Sequence, residues 1–524
     1  MKLKLLYSCL LIAGTVGTAF AQGAPEDPAM LAKIREEGLN HSQVMDIAFH
    51  ITDISGPRLA GSPGLKRAQD WAVNTLKTWG MVNAKREDWG KFGKGWEVQK
   101  NYAAMVEPYY HAIIAIPKAW TPSTNGLIKS EVVFLKIDSV ADFAKYRGKL
   151  KGKIVITQAA APAEQNFTTP EARRDADSTL AAMANPQAAG GRRGGAGGPG
   201  RRPGAGASAL PRGALSQFEV DEGVGLVLSQ ARGTDGTVFT TNGANFRDTA
   251  KAVAPELETS SEDYQRILRL TKAGIKVTME ADIKTEFFTK DLDGYDVVGE
   301  IPGIDPKLKD QLVMIGGHLD SWHGATGGTD NAAGSAVMME AMRILSRLGY
   351  HPRRTIRIAL WSSEEQGEFG SKGYVGKHFG DPTTMVLLPE HAKLSAYYNL
   401  DNGTGKIRGI YAQSNTAIMP IFQAWLNPLK DLGASTVTPR NTGSTDHVAF
   451  DAVGLPGFEF IQDPIDYNAR THHSNQDTYD KIIPEDLKQA ATVVAWFVYN
   501  TAQRDEMMPR KDLPKADPAA ASRN

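Results

Sequence analysis

Apolar and polar residues alternate along the chain in blocks that predict strands and helices. Residues 311–315, 355–361 and 394–400 are short apolar runs typical of buried strands. Residues 331–348 place Val337 and Ala341, among others, on one face at helical spacing, which predicts an amphipathic helix. Strands that alternate with helices of this length predict a three-layer α/β fold with a mostly parallel central sheet.

A second region, residues 122–258, has a different pattern. Short apolar runs are separated by turns and by a long irregular stretch, which predicts a β-rich insert. Within it, residues 188–213 consist almost wholly of Gly, Ala, Arg and Pro, and such a stretch cannot bury enough apolar surface to offset its chain entropy. We therefore expect a flexible loop there. The α/β domain then comprises residues 22–121 and 259–502.

The two ends of the chain carry their own signals. Lys2 and Lys4 precede an apolar run over residues 5–16 and an Ala-Phe-Ala sequence that ends at Ala21. This pattern predicts a secretory signal peptide over residues 1–21 and export from the cytoplasm, to the periplasm or beyond. A membrane anchor is disfavoured because the run is too short to cross a bilayer, and no other stretch predicts a membrane span. Residues 503–524 predict a mobile tail.

Charge and cysteine content narrow the chemistry. Lys plus Arg and Asp plus Glu number 59 each, which indicates neither nucleic acid nor a charged membrane surface as a partner. The only cysteine, Cys9, lies within the predicted signal peptide. The exported protein would then contain no thiol, so a bound metal must use His, Asp and Glu as ligands.

Several candidate ligands follow predicted strands. His318, Glu364 and Asp401 each come just after one, and functional sites in α/β sheets form at the carboxyl ends of the strands. Asp320, two residues after His318, suits a carboxylate that orients a metal-bound imidazole. Any one of these residues alone has an ordinary structural explanation, but their common position at one rim predicts a site.

The other candidates leave alternatives open. Asp330 stands at the start of the predicted helix, where it can cap the helix or bridge two metals through its two oxygens. Glu364 and Glu365 are adjacent, and one can bind metal while the other acts as general base, unless they are a surface acidic pair. His473 can complete a second ligand set, although spacing does not distinguish it from His472. The combination predicts a two-metal hydrolase.

These segments resemble the M28 family of zinc metallopeptidases, and in particular the subgroup that contains carboxypeptidase Q and secreted aminopeptidases. The insert over residues 122–258 resembles the protease-associated domain of some members. The matching motifs are Gly317-His318-Leu-Asp320, Gly328-Thr-Asp330-Asn331-Ala-Ala-Gly334, Ser363-Glu364-Glu365-Gln-Gly367, Asn399-Leu-Asp401 and His473-Ser-Asn-Gln-Asp477-Thr478. The Gly/Arg/Pro loop departs from the family pattern.

The resemblance implies a zinc-exopeptidase fold with two Zn²⁺ ions and a role for each residue. His318 and Asp401 would hold one ion, Glu365 and His473 would hold the other, and Asp330 would bridge them. Glu364 would be the general base and Asp320 would support the site. Asp446, in a Ser-Thr-Asp-His segment, is expected to shape the substrate pocket.

The resemblance also implies an activity. We expect a secreted exopeptidase that acts on peptides or dipeptides, most simply an aminopeptidase. A carboxypeptidase or dipeptidase of the same family is the first alternative, because the metal motif does not fix which end of the peptide is recognised. A non-catalytic peptide-binding protein on the same fold is the alternative of another class. The sequence indicates no oligomeric state.

Overall fold

The computed structural model describes residues 27–157, 175–185, 210–211, 213–240 and 242–516. The predicted signal peptide therefore lies outside the described residues, as does nearly all of the Gly/Arg/Pro loop. The helices are α1 (Pro28–Arg35), α2 (Val44–Phe49), α3 (Pro63–Thr78), α4 (Asp177–Ala184), α5 (Ala214–Asp221), α6 (Ser261–Lys272), α7 (Ala333–Arg347), α8 (Phe369–His378), α9 (Met419–Leu426), α10 (His447–Asp451) and α11 (Pro484–Gln503).

The strands form two large sheets and one small hairpin. They are β1 (Val82–Lys91), β2 (Gly95–Glu107), β3 (His111–Ala112), β4 (Ala115–Pro117), β5 (Ile128–Leu135), β6 (Ile154–Thr157), β7 (Leu226–Gln230), β8 (Glu256–Thr259), β9 (Thr278–Phe288), β10 (Asp293–Ile301), β11 (Leu312–His318), β12 (Thr355–Trp361), β13 (Gly380–Asp381), β14 (Val386–Leu387), β15 (Leu394–Asn399), β16 (Ile407–Tyr411), β17 (Thr436–Thr438) and β18 (Gly457–Gln462).

The first sheet has the strand order β1-β10-β12-β11-β15-β18-β16-β17. Its centre is parallel, since β11 runs parallel to β12 and β15, and β15 runs parallel to β18. The strands β1 and β10 are antiparallel to each other, and β10 is antiparallel to β12. This mixed sheet with a parallel centre confirms the α/β fold predicted from the sequence.

Helices cover both faces of this sheet. Along β11, Val313 and Ile315 pack into a core with α7 and α11, whereas Met314 packs into a core with α8 and α10 on the opposite face. All seven residues of β11 are buried, as expected for a strand covered on both sides. The three layers place the carboxyl ends of β11, β12 and β15 side by side.

The helix predicted over residues 331–348 starts later and is more deeply buried than its pattern suggested. Asp330 and Asn331 have non-helical dihedrals, and regular helix begins at Ala333. Residues 333–345 are all buried, because α7 packs against α11 and α2 as well as against β11 of the sheet. The polar pair Glu340 and Arg343 is accommodated inside by a direct ion pair of 2.7 Å.

The second sheet has the order β3-β2-β9-β5-β6-β7-β8-β4, and α6 packs on it through Tyr264, Ile267 and Leu268. Of the eight strands of this sheet, the predicted insert, residues 122–258, contributes β5 to β8. The long strands β2 and β9 pair with each other over almost their full length and join this sheet, although the sequence had placed them in the α/β domain. The assignment of residues 122–258 to a protease-associated domain stays a prediction.

Residues 504–511, which follow α11, are packed against the fold, and this corrects the expectation of a mobile tail for that part of residues 503–524, whereas residues 512–516 are exposed. Met508 is buried and its N–H donates to Ser395 Oγ at 3.1 Å, and Arg510 donates to the carbonyl oxygen of Leu394 at 2.7 Å. The Pro- and Lys-rich composition indicated a mobile segment and gave no sign of these contacts. Within the described ranges, no helix combines the length and apolar character needed to cross a bilayer.

Candidate metal centre

His318 is the last residue of β11 and is wholly buried. Its Nδ1 lies 3.0 Å from the carbonyl oxygen of Asp320 and 3.7 Å from Oδ1 of the same residue. These contacts turn Nε2 the other way, toward Asp401 Oδ1 at 3.1 Å and Asp330 Oδ1 at 3.3 Å. Burial alone would lower the pKa of His318, but Asp401, Asp320 and Asp330 outweigh it and raise that pKa well above its ordinary value.

Asp330 lies between two imidazoles. Its Oδ1 faces His318, and its Oδ2 lies 3.2 Å from His473 Nε2. The carboxylate does not cap α7: in the first turn, the N–H of Gly334 donates to Asn331 Oδ1 and not to Asp330, so the capping alternative is not realised. Burial would raise the pKa of Asp330, yet its interactions with His318 and His473 hold it well below the ordinary range. Asp330 thus faces two groups of candidate ligands, one around His318 and one around His473, which we term the two ligand sets.

Glu364 and Glu365 follow β12 and point to different sets. Ser363 adopts a positive φ of 59°, which turns the chain sharply just before them. Glu364 Oε2 lies 3.9 Å from His318 Nε2, whereas Glu365 Oε2 lies 2.7 Å from His473 Nε2. The N–H of Glu364 donates to Asp320 Oδ1 at 3.2 Å, so Asp320 contacts both His318 and the backbone of Glu364.

Asp401 and His473 complete the two sets. Asp401 follows β15, and its N–H donates to Glu459 Oε1 at 2.8 Å. His472 is the more distant imidazole, with Nε2 at 3.9 Å from Asp330 Oδ2 and its ring 4.7 Å from the ring of Tyr467. The geometry favours His473 over His472 as the ligand, although the side chains of Asp330, His472 and His473 lie close enough together to share an ion.

The donor set fits divalent cations. Asp330 Oδ2 and Glu365 Oε2 are buried and have no hydrogen-bond partner among the described residues, although His473 Nε2 is near both. Burial chiefly, and then Asp330, raises the pKa of Glu365 to about 7, and burial raises the pKa of Glu364 well above its ordinary value. Cations beside these crowded carboxyl groups would favour their ionised forms.

Asp446 differs from its predicted position. It is wholly buried, and its neighbours Gly443, Ser444 and Thr445 line the cavity over the site instead. The chain enters α10 here and directs the Asp446 side chain into the interior, where neither carboxylate oxygen has a hydrogen-bond partner among the described residues. Asp446 itself therefore does not line this cavity, and its role in shaping a substrate pocket stays a prediction.

Several supporting residues were not assigned from the sequence. Asp477 accepts from the N–H groups of Thr329 and Asp330 at 2.6 and 3.0 Å and thereby holds the backbone of the bridging residue. Glu459, in β18, holds the backbone of Asp401 in the same way. Asp477 belongs to a quoted motif, and Glu459 is a lone acid in an apolar strand, so each carried a weak signal.

Arg58 carried no such signal. It is wholly buried, and its guanidinium donates to the carbonyl oxygens of Leu319, Ile51 and Gly327 at 2.6, 3.1 and 2.9 Å. These bonds hold the backbone on both sides of the loop between β11 and Asp330. Burial lowers the pKa of Arg58 to about 10, which leaves it charged at neutral pH beside the acidic site.

A cavity of about 240 Å³ opens over the two ligand sets. None of the described residues that line it is a lysine or an arginine. Its lining residues are Asp330, Glu364, Glu365, Gly367, Glu368, Asp401, Asn402, Gly443, Ser444, Thr445, Tyr467, Asn468, His472 and His473.

Comparison with known proteins agrees with this geometry. Peptidase family M28 matches residues 296–498. Carboxypeptidase Q from Bos taurus is 26% identical over 466 residues, which cover 88% of this chain and 85% of the relative.

Two solved structures share the fold. One is a peptidase M28 precursor from Shewanella amazonensis, with a TM-score of 0.64 and 23% identity over 93% of this chain and 98% of that one. The other is a zinc aminopeptidase from Bacillus subtilis, with a TM-score of 0.53 and 17% identity over 88% and 95% of the two chains. The candidate ligands described above, from His318 to His473, all lie within the matched segment, and residues 296–498 are therefore a peptidase family M28 domain.

Proposed function

We propose that the protein is a dizinc exopeptidase, and most specifically an aminopeptidase. The observation that carries the proposal is the position of Asp330, whose two oxygens face two separate imidazole–carboxylate sets. His318 and Asp401 form one set, and Glu365 and His473 form the other. Imidazole and carboxylate ligands suit zinc, and the Bacillus subtilis structure with the same fold is a zinc aminopeptidase.

Glu364 is the proposed general base. When bound, the two zinc ions would lower the pKa of a water molecule and polarise the peptide carbonyl. Glu364 lines the cavity but contacts neither ligand set as closely as Glu365 contacts His473. It can therefore accept the proton of the attacking water and donate it to the amine nitrogen as the C–N bond breaks.

The charge of the cavity supports recognition of a free amine. Of its five carboxylates, three belong to the proposed ligand sets and one is the proposed base, which leaves Glu368 without a role in the reaction. Glu368 Oε2 forms an ion pair with Lys372 Nζ at 3.6 Å, and a substrate ammonium group can share this carboxylate. A substrate ammonium group would meet acids there, whereas a C-terminal carboxylate would meet no cation among the described lining residues.

The size of the cavity supports cleavage at a chain end. A volume of about 240 Å³ is below the about 300 to 1,000 Å³ of typical drug-sized ligand pockets. It therefore suits one or two amino-acid residues rather than a long peptide segment. Peptides or dipeptides are the proposed substrates, and the predicted signal peptide supports action outside the cytoplasm.

A carboxypeptidase or dipeptidase is the second candidate. It is favoured by the similarity to carboxypeptidase Q, which extends over 88% of this chain and thus beyond the metal motifs. A dipeptide presents both a free amine and a free carboxylate, so the acidic cavity is compatible with dipeptide cleavage.

A substrate panel on metal-analysed protein tests the proposal. We expect two zinc ions per chain and hydrolysis of aminoacyl anilides and dipeptides, with loss of activity on chelation and recovery on addition of zinc. N-blocked peptides should resist cleavage. Cleavage of N-blocked peptides alone would favour a carboxypeptidase, and a protein that binds no zinc and hydrolyses nothing would be a peptide-binding protein on this fold.

A further inference from the structure

The loop that carries His473 is bonded directly to the part of the chain that bears the second sheet. Residues 236–240, which we term the clasp segment, follow β7 in that part and run alongside residues 473–476. Phe239 and Ser474 form an isolated antiparallel bridge. The N–H of Thr240 donates to the carbonyl oxygen of His473 at 2.7 Å, and Thr240 Oγ1 donates to the same oxygen at 3.2 Å.

Asn475 is the principal side chain in this contact. Its Oδ1 accepts from the N–H of Val238 at 2.8 Å, and its Nδ2 donates to the carbonyl oxygen of Gly236 at 3.2 Å. Its own N–H donates to the carbonyl oxygen of Val238 at 3.1 Å. A further bond joins Gln476 Nε2 to Thr237 Oγ1 at 2.8 Å. The side chain of Asn475 thus spans three residues of the clasp segment.

The clasp segment is itself firmly placed. Thr237, Val238 and Thr240 are buried, and the guanidinium of Arg232 lies 4.5 Å from the ring centroid of Phe239. Just beyond the segment, the N–H of Ala244 donates to the carbonyl oxygen of Ala119 at 2.8 Å, and Ala119 follows β4 of the second sheet. The segment is therefore a rigid support rather than a loose loop.

His473 needs such a support. It has a φ of 63°, in the left-handed region that a non-glycine residue occupies only when its surroundings impose it. The residues around it belong to no strand of the first sheet, so the ladder that holds His318 is absent here. On the inner side, Asp477 bonds to Thr329 and Asp330; on the outer side, the clasp segment is the contact that fixes the His473 carbonyl.

We propose that Asn475 and the clasp segment position His473 for metal binding, so that the second sheet helps to assemble the metal centre. The inference rests on the proposed role of His473 as a ligand. Asn475 does not line the cavity, and among the described residues its side-chain hydrogen bonds are with the clasp segment, so it acts through His473 and not on the substrate. Partners that orient a metal ligand affect metal affinity by about 10- to 100-fold.

Metal titration of the purified protein with Asn475→Ala tests this. The substitution removes the two side-chain bonds and leaves the backbone contacts in place. We expect one of the two metal equivalents, measured as Zn²⁺ in competition with a chelator, to bind about 10- to 100-fold more weakly, while the other keeps its affinity. The matched control is Asn441→Ala, which removes an exposed side chain that accepts a hydrogen bond from Ser414 Oγ and should leave both affinities unchanged.

A second readout is independent of metal. In metal-free protein, the amide hydrogens of Val238 and Thr240 should exchange faster in Asn475→Ala than in the wild type. Two tightly bound zinc ions and unchanged amide exchange in the variant would overturn the inference. If the variant does not fold, Gln476→Ala removes the single bond to Thr237 and should show a smaller loss of the same metal equivalent; unchanged affinity there would overturn the inference equally.

Failure of the proposed function is distinguishable from failure of this inference. A wild-type protein that binds only one metal ion would contradict the dizinc proposal itself. A wild-type protein that binds two ions, together with an Asn475→Ala variant that binds them equally well, would contradict only the role of the clasp segment.

Discussion

At the scale of single residues, the site depends on carboxylates whose two oxygens serve different partners. Asp330 offers Oδ1 to His318 and Oδ2 to His473, and Glu459 holds the backbone of Asp401 with Oε1 and the side chain of Asn399 with Oε2. An amide at such a position has one acceptor oxygen instead of two. Isosteric amide substitutions are therefore the most informative changes.

Glu364→Gln should separate metal binding from catalysis. The amide cannot accept the proton of the attacking water, so we expect kcat to fall by about 10²- to 10⁴-fold. Metal content should stay at the wild-type level because Glu365, not Glu364, is the proposed ligand. Metal analysis and steady-state kinetics on one sample measure both quantities, and a variant with near-normal turnover would rule out Glu364 as the base.

Glu368→Gln should alter substrate recognition. If the carboxylate attracts the substrate ammonium group, its removal should raise KM for free-amine substrates by about tenfold, the effect of about 1.4 kcal/mol, with little change in kcat. Lys372→Met, which removes the neighbouring cation, is the matched control and should not raise KM. An unchanged KM in Glu368→Gln would assign amine recognition to another group.

The sequence predicted the residues that occupy short motifs next to apolar strands. His318, Glu364 and Asp401 meet in one site, as their positions after predicted strands indicated, and Asp330, Glu365 and His473 lie in the same site. Glu459 and Arg58 could not be assigned, because what they do depends on contacts with backbone groups far away in the chain. The orientation of Asp446, which is buried beside the cavity and does not line it, could not be predicted because a sequence motif does not specify which way a side chain points.

At the scale of elements, close packing of α7 against the end of β15 shapes the metal centre. Asn331 Nδ2 donates to the carbonyl oxygen of Leu400 at 2.9 Å, and the N–H of Gly334 donates to Asn331 Oδ1 at 3.0 Å. A Cβ at Gly334 would overlap Asn331 and the carbonyl oxygen of Leu400, the residue before Asp401. Glycine is thus required here for a close approach, not for an unusual φ.

Gly334→Ala should therefore destabilise the protein by about 1 to 3 kcal/mol, the usual cost of overpacking, and weaken metal binding by displacing Asp401. Gly376→Ala, at an exposed position of α8, is the matched control, because its Cβ would meet nothing within 4 Å and the substitution should stabilise the helix by up to about 1 kcal/mol. Chemical unfolding and zinc titration test both. Equal stability of the two variants would contradict the packing argument.

Elements were predicted well where the pattern is local. The strands β11, β12 and β15 and the helix α7 have the positions that their apolar runs indicated, to within a few residues. The membership of β2 and β9 in the second sheet was not predictable, because strand pairing depends on partners about 180 residues apart, such as Lys100 and Lys284, and not on the pattern of either strand. The packing of residues 504–511 was not predictable for a similar reason, because Met508 and Arg510 bond to Ser395 and Leu394, which lie more than 110 residues earlier in the chain.

At the scale of the whole molecule, the second sheet contains buried acids that make its stability depend on pH. Glu258 is buried in β8, and its Oε2 has no hydrogen-bond partner among the described residues. Burial raises the pKa of Glu258 to about 8; Lys118 opposes this rise and Glu256 adds to it. In the same part of the chain, burial also raises the pKa of Glu219 to about 8.

The sign of the pH effect follows from these shifts. In the unfolded chain Glu258 releases its proton near its ordinary pKa of 4.5, whereas the folded protein keeps the proton up to about pH 8. Between these values the folded state binds more protons, so the free energy of unfolding falls as pH rises and levels off above pH 8. The contribution of Glu258 to the free energy of unfolding is therefore complete only below about pH 4.5.

Glu258→Gln should remove this dependence, because the amide is neutral at every pH and has almost the same shape. We expect the variant to be more stable than the wild type at pH 9, by up to about 4 kcal/mol, with a much smaller difference at pH 5. Glu131→Gln, at an exposed position of β5, is the control and should change stability by less than about 0.5 kcal/mol at both values. Denaturant unfolding at the two pH values measures the effect. A Glu258→Gln variant that is less stable than the wild type at pH 9 would show that the ionised carboxylate is satisfied by a partner in the folded protein, and that the pH sensitivity of the second sheet arises elsewhere.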